Sequence, residues 1–115
     1  MTLKKARKVL ISSGYGNGGW ASWNSDWPYA ARLFMLEDPW LVSKVEAGEL
    51  TVEVLNGFKA RLRERFSELG EKHFFAGGFA NLKVTTVPAG MRYRLCEDNG
   101  CEWIEVVNPE HDDLY

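Results

Sequence analysis

Gly14-Tyr15-Gly16-Asn17-Gly18-Gly19 satisfies the pattern G-x-G-x-x-G, and Trp20, Ser22, Trp23, Asn24 and Trp27 follow directly. Two kinds of chemistry use such residues. A glycine run leaves backbone amides open to a close-lying anion, so it can cradle a phosphate. Indole rings carry large apolar faces and one N–H donor, which suits stacking on a base or sugar, or anchoring a protein interface. The candidate ligand- or partner-binding residues are therefore Gly14, Tyr15, Gly16, Asn17, Gly18, Gly19, Trp20, Ser22, Trp23 and Asn24. Trp20 and Trp23 stand among Gly, Ser and Asn, where a chain runs over the surface. Trp27 and Trp40 read instead as a roof over a sheet.

Named nucleotide motifs fit poorly. The residues after Gly19 do not open an amphipathic helix, and the chain is too short for a six-stranded doubly wound sheet. No Gly-Lys-Ser/Thr follows, which removes the P-loop. Glu37 and Asp38 stand at the distance of a ribose contact, but acidic residues are common enough for chance to place them there.

Other catalytic chemistry has little support. There is no G-x-S-x-G elbow. Ser12, Ser13 and Ser22 lack a histidine at a recognisable spacing, and His73 before Phe74-Phe75 reads as a partly buried structural residue. Cys96, Cys101 and a distant histidine do not make the four ligands of a structural zinc site. We therefore expect no catalytic residue, no metal and no cofactor, and a chain that leans away from being an enzyme.

The elements that would position this loop are legible along 115 residues, a length that suits one domain. Arg7 to Ser13 reads as a strand covered on both faces, because Val9-Leu10-Ile11 is uninterrupted and apolar. Asp26 is the predicted cap of a helix through Leu36, and Asp38-Pro39 opens a second that Gly48 stops. Leu55, Phe58, Leu62, Phe66 and Leu69 form one stripe of a helix capped by Thr51 and ended by Gly70, unless Gly57 delays its start. Leu82–Val87 is a strand. Met91–Leu95 alternates, Asp98-Asn99-Gly100 predicts a hairpin, and Trp103–Val107 returns with Glu102 and Glu105 in reach of Arg92 or Arg94.

The expected class is α+β: one domain over 1–115, a mostly antiparallel sheet of about four strands in the order β-α-α-β-β-β, and helices packed on one face. The ends, about 1–5 and 109–115, read as frayed.

The net charge of −2 argues against a domain built to hold nucleic acid. No apolar run reaches a signal peptide's h-region or a membrane span, so the expected setting is cytoplasmic. Two cysteines in that setting read as free thiols, although a hairpin would bring them close.

Lys8-Val9-Leu10-Ile11-Ser12-Ser13-Gly14-Tyr15-Gly16, with Gly19-Trp20 and Ser22-Trp23-Asn24, resembles small uncharacterised proteins of bacteriophage and prophage genomes. Val87-Pro88-Ala89-Gly90, Tyr93-Arg94-Leu95 and Asn99-Gly100-Cys101-Glu102 fit the same pattern. The likeness covers both ends of the chain. Gly18 and the segment from Asp26 to Trp40 depart from it. The resemblance carries no catalytic role. It implies a host-cell cytoplasm, where small phage proteins bind and block host factors, defence components among them.

Three functions follow as expectations. The first is a non-enzymatic binding protein that engages a host macromolecule through the Gly/Trp loop. The second is capture of a nucleotide-like phosphorylated small ligand in the glycines. The third is self-association of a structural or assembly protein through the tryptophans.

Overall fold

Val9, Leu10 and Ile11 are all buried, which an extended chain achieves only when both its faces are covered. They lie in β1 (Arg7–Ser12), which pairs antiparallel with β2 (Leu82–Val87), Leu10 opposite Val84. The computed structural model describes residues 5–16, 18–70, 72–107 and 114–115.

Three helices separate these strands in sequence: α1 (Tyr29–Glu37), α2 (Pro39–Glu46) and α3 (Val52–Arg65). Their starts differ from expectation at two aspartates. Pro28, not Asp26, holds the cap position of α1, and Asp26 pairs with Lys72 at 3.3 Å. Asp38 stands at the start of α2 without capping it. Its carboxylate is buried and takes both arms of Arg61 from α3, at 2.7 and 3.2 Å. A buried charge requires such a partner more than a helix end requires a cap. Thr51 does cap α3, accepting from the Val54 amide at 3.2 Å.

Val54, Phe58 and Leu62 form the buried edge of α3, with Leu55 and Phe66 half-buried beside it. Gly57 stays inside this helix because a Cβ there would stand 3.0 Å from the Trp40 ring. The helix ends at Arg65, and a short 3₁₀ turn at Ser67–Leu69 carries the chain to Gly70.

β3 (Arg92–Asp98) and β4 (Cys101–Val107) form a hairpin. Asn99 and Gly100 make its two-residue turn, both at positive φ (50° and 88°), the geometry that matches strand twist. The class is α+β, and among the described residues the four antiparallel strands make two sheets of two strands rather than one of four.

An aromatic cluster fills the centre. The Trp20 ring lies 5.3 Å from Phe58, 5.2 Å from Phe74 and 6.2 Å from Phe79. A second polar tie joins β1, α1 and β3: Arg7 and the Tyr93 hydroxyl both donate to Glu37, the latter at 2.6 Å.

The expected fraying at 109–115 needs correction at its end. Residues 1–4 and 108–113 lie outside the described residues. Leu114 and Tyr115, however, are buried. The Tyr115 amide and carbonyl exchange hydrogen bonds with Tyr93 at 3.0 and 3.1 Å. Its ring stacks on Tyr29 at 5.2 Å, and its hydroxyl accepts from Arg32 at 2.6 Å.

Burial, then the Glu37 carboxylate, holds the Tyr93 phenol far above its ordinary value of 10.0. The unfolded chain therefore ionises this tyrosine above pH 10 while the folded one does not. The stability it contributes is complete below pH 10 and is lost above it, at about 1.4 kcal/mol per pH unit. Tyr115, raised by burial, adds in the same direction. Urea midpoints from pH 7 to 11 should fall steeply at the alkaline end. Tyr93→Phe should lower stability by about 1 kcal/mol at neutral pH and make that alkaline fall shallower. An unchanged alkaline slope in the variant would show that Tyr93 is not the titrating group.

Candidate functional site

Glu102 is the buried charge of the loop region, 2% exposed. Pairing of β4 begins at Cys101, so the two-residue period turns Glu102 to the Tyr93, Leu95 and Glu97 face. The expectation that it meets Arg92 or Arg94 is therefore corrected. Glu105, on the other face, is the residue that pairs with Arg94, at 3.5 Å. Glu102 instead reaches the glycine loop. Its Oε1 accepts from the Ser12 amide at 2.8 Å. Its Oε2 accepts from the Trp20 amide at 2.8 Å, the Ser22 amide at 3.0 Å and the Ser22 hydroxyl.

An anion cradle made of loop amides thus exists, and the protein's own carboxylate fills it. The glycines beside it are closed in the same way. A Cβ on Gly100 would stand 2.9 Å from the Gly18 nitrogen, and one on Gly78 would stand 2.9 Å from the Gly19 carbonyl. The Gly16 amide donates to the Asn99 carbonyl at 2.7 Å, and Gly78 donates to Gly19 at 3.2 Å. The loop therefore clasps the tip of the hairpin.

This arrangement sorts the ten candidate residues. Trp20 is wholly buried, its indole N–H donating to the Met35 carbonyl at 2.7 Å. Its expected surface position is corrected, because two anchors, backbone to Glu102 and ring to Met35, draw it into the core. Asn24 is also wholly buried and corrected: its amide bridges the Trp20 carbonyl and the Phe75 backbone at 2.8 to 2.9 Å. Gly18 and Gly19 are buried, Gly14 packs on the Asn81 side chain, and Ser22 is held by Glu102. Asn17 lies outside the described residues.

Tyr15, Gly16 and Trp23 remain open, the two rings 64% and 42% exposed. The hairpin brings them together. Trp23 donates its indole N–H to Glu97 and lays its ring beside Gly19, where a Cβ would meet it at 2.5 Å. Tyr15 lies on the other face, its hydroxyl against the Cys101 thiol, with Asp98 close by; Cys101 first and Asp98 after it raise the phenol's pKa. The sequence reading missed Glu97 and Asp98, which only strand register sets beside these rings. It missed exposed Phe75 as well, and His73, which packs on Phe75 at 4.4 Å, is exposed rather than partly buried.

A concavity of about 370 Å³ borders the loop at Ser22, lined also by Ser25, Arg32, Arg94 and Tyr115. A groove of about 740 Å³ runs between α1 and α3, lined by Leu33, Phe34, Arg61, Arg65 and Phe66 among others. Among the described residues no three His, Cys, Asp or Glu side chains converge as metal ligands, and both cysteines are free thiols. Among the described residues no helix is long and apolar enough to cross a membrane. No protein-family model, curated protein or solved structure matches this chain.

Two substitutions test the clasp. Glutamine has one acceptor oxygen where Glu102 uses two, so Glu102→Gln must set an NH₂ against a buried N–H. Urea unfolding should show a loss of about 2–4 kcal/mol; a loss under about 1 kcal/mol would mean that water already serves those amides. Gly48 and Gly100 both have positive φ, but Gly48 faces open space. Gly48→Ala should cost about 1 kcal/mol. Gly100→Ala should cost about 2 kcal/mol more, the added cost of pushing the loop off the tip. Equal costs would remove the close approach as a source of stability.

Proposed function

We propose that this chain is a small, non-enzymatic binding protein that engages a partner protein through its β3–β4 tip, with Tyr15 and Trp23 as the contacting rings. One observation carries the reading. The Trp23 ring is open to solvent, yet its N–H is held by Glu97 and its face rests on the glycine backbone. An aromatic side chain fixed before contact loses little entropy on binding, and Trp and Tyr dominate interface energetics.

The carboxylates argue in the same direction. Glu37, Asp38 and Glu102 are committed to structural partners. The loop's anion cradle is taken by Glu102, which counts against the phosphorylated ligand. The likeness to phage proteins supports a host protein as the partner and a host cytoplasm as the place.

Tyr15→Ala and Trp23→Ala should each cost less than about 1 kcal/mol of stability, whereas Trp20→Ala should cost about 3–5 kcal/mol. Affinity capture from bacterial lysate, scored by mass spectrometry, should yield a protein that wild type and Val52→Ala retain and that both tip variants lose. Capture that survives both tip variants would overturn the reading.

A further inference from the structure

Trp23 is paired with the acidic side chain of Glu97, Asp98 follows it in the strand, and among the described residues neither acid forms an ion pair. Glu97 and Asp98 are adjacent and exposed at the end of β3. Glu97 uses Oε2 for the Trp23 indole, and among the described residues its Oε1 and both Asp98 oxygens accept no hydrogen bond. The arginines of the same hairpin are engaged at its far end: Arg94 with Glu105, and Arg92 with the Leu114 carbonyl. Among the described residues the tip thus carries two exposed negative charges outside any ion pair, Glu97 directly beside the exposed Trp23 ring.

From this charge pattern we infer that the partner presents a basic segment, arginine before lysine, to the tip; the inference rests on the interface reading above. Glu97 and Trp23 lie on one face of the hairpin, Asp98 and Tyr15 on the other, joined by the Asn99-Gly100 turn. A guanidinium stacks on an aromatic face while its planar fork donates to a carboxylate, so the Trp23–Glu97 pair accommodates one arginine, and the exposed Asp98 carboxylate adds a second acceptor for the next basic residue. Lysine supplies the charge without the flat fork. Two adjacent carboxylates repel a nucleic-acid backbone, which sets a protein above RNA or DNA as the occupant.

The test uses the whole ¹⁵N-labelled chain and three defined probes: a peptide alternating glycine and arginine, its glutamate counterpart, and a single-stranded RNA oligonucleotide. The arginine peptide should shift the Trp23 indole resonance and the amides of Gly16, Glu97 and Asp98. Its affinity should fall by about tenfold between low and moderate salt, as contact between exposed charges does. Glu97→Gln with Asp98→Asn keeps the polar shapes and the Trp23 acceptor but removes both charges, and should weaken binding by about tenfold or more.

Arginine and glutamate peptides shifting the tip equally would overturn the basic partner while leaving the tip as an interface. RNA shifting the tip would overturn the basic partner too. Shifts confined to the groove between α1 and α3 would overturn both readings. Binding indifferent to the double substitution would remove Glu97 and Asp98 from the recognition.

Discussion

One carboxylate joins three parts of the molecule that share no backbone ladder. Glu102 projects from β4, and its two oxygens terminate β1 through Ser12 and turn the loop through Trp20 and Ser22. An isolated pair of strands is marginal by itself, and this fold has two such pairs. The outward amide of Ser12 would ordinarily ask for a neighbouring strand. A side chain answers instead, so β1 and the hairpin are fixed to each other without forming one sheet. Burying a carboxylate away from cations is costly. Four donors on one group make it tolerable, and they make the arrangement all-or-none, since each donor lost leaves charge exposed to an apolar interior.

The glycine run serves the same junction. A missing Cβ lets something approach the backbone closely, and that is equally true of a pyrophosphate and of another loop. Here the approaching groups are Gly78 and Gly100, together with the Glu102 carboxylate. The physical reason that G-x-G-x-x-G suggests an anion is therefore sound. What differs is that the anion is covalently part of the chain, brought from 82 residues away at Trp20. Nothing local to residues 14–19 distinguishes the two outcomes.

That distance explains where sequence reasoning succeeds and where it stops. β1, β2 and the Asn99-Gly100 turn are legible because uninterrupted apolar runs and positive-φ residues act locally. Pro39, Gly48 and Thr51 bound their helices for the same reason. Trp20 and Trp23 are three residues apart, of one type and in one polar context, yet one is core and the other is open. The difference lies in Glu102 and Met35, which no local pattern reveals. Asp38 looks like a cap until Arg61 arrives from α3. Leu114 and Tyr115 follow an acidic stretch and look like a loose tail until Tyr93 pairs with them. Each of these three misses is a non-local polar contact, whereas the hits rest on local sequence patterns.

The buried half of the loop also governs what the exposed half can do. Trp23 sits next to Ser22, which Glu102 holds, and its ring rests where Gly19 has no side chain. Its rotational freedom is thus reduced by the same contacts that close the core. A flexible tryptophan would have to be ordered at the moment of binding, and that ordering would subtract from affinity. Trp23 and Glu97 instead stand in fixed relation, because Glu97 faces Glu102 across the hairpin and both act on consecutive loop residues. Rigidity at Glu102 and the place of Glu97 beside Trp23 are neighbouring consequences of one strand register. A one-residue slip of that register would turn both carboxylates to the opposite face, and the Glu102 tie to the core and the Glu97 hold on Trp23 would be lost together.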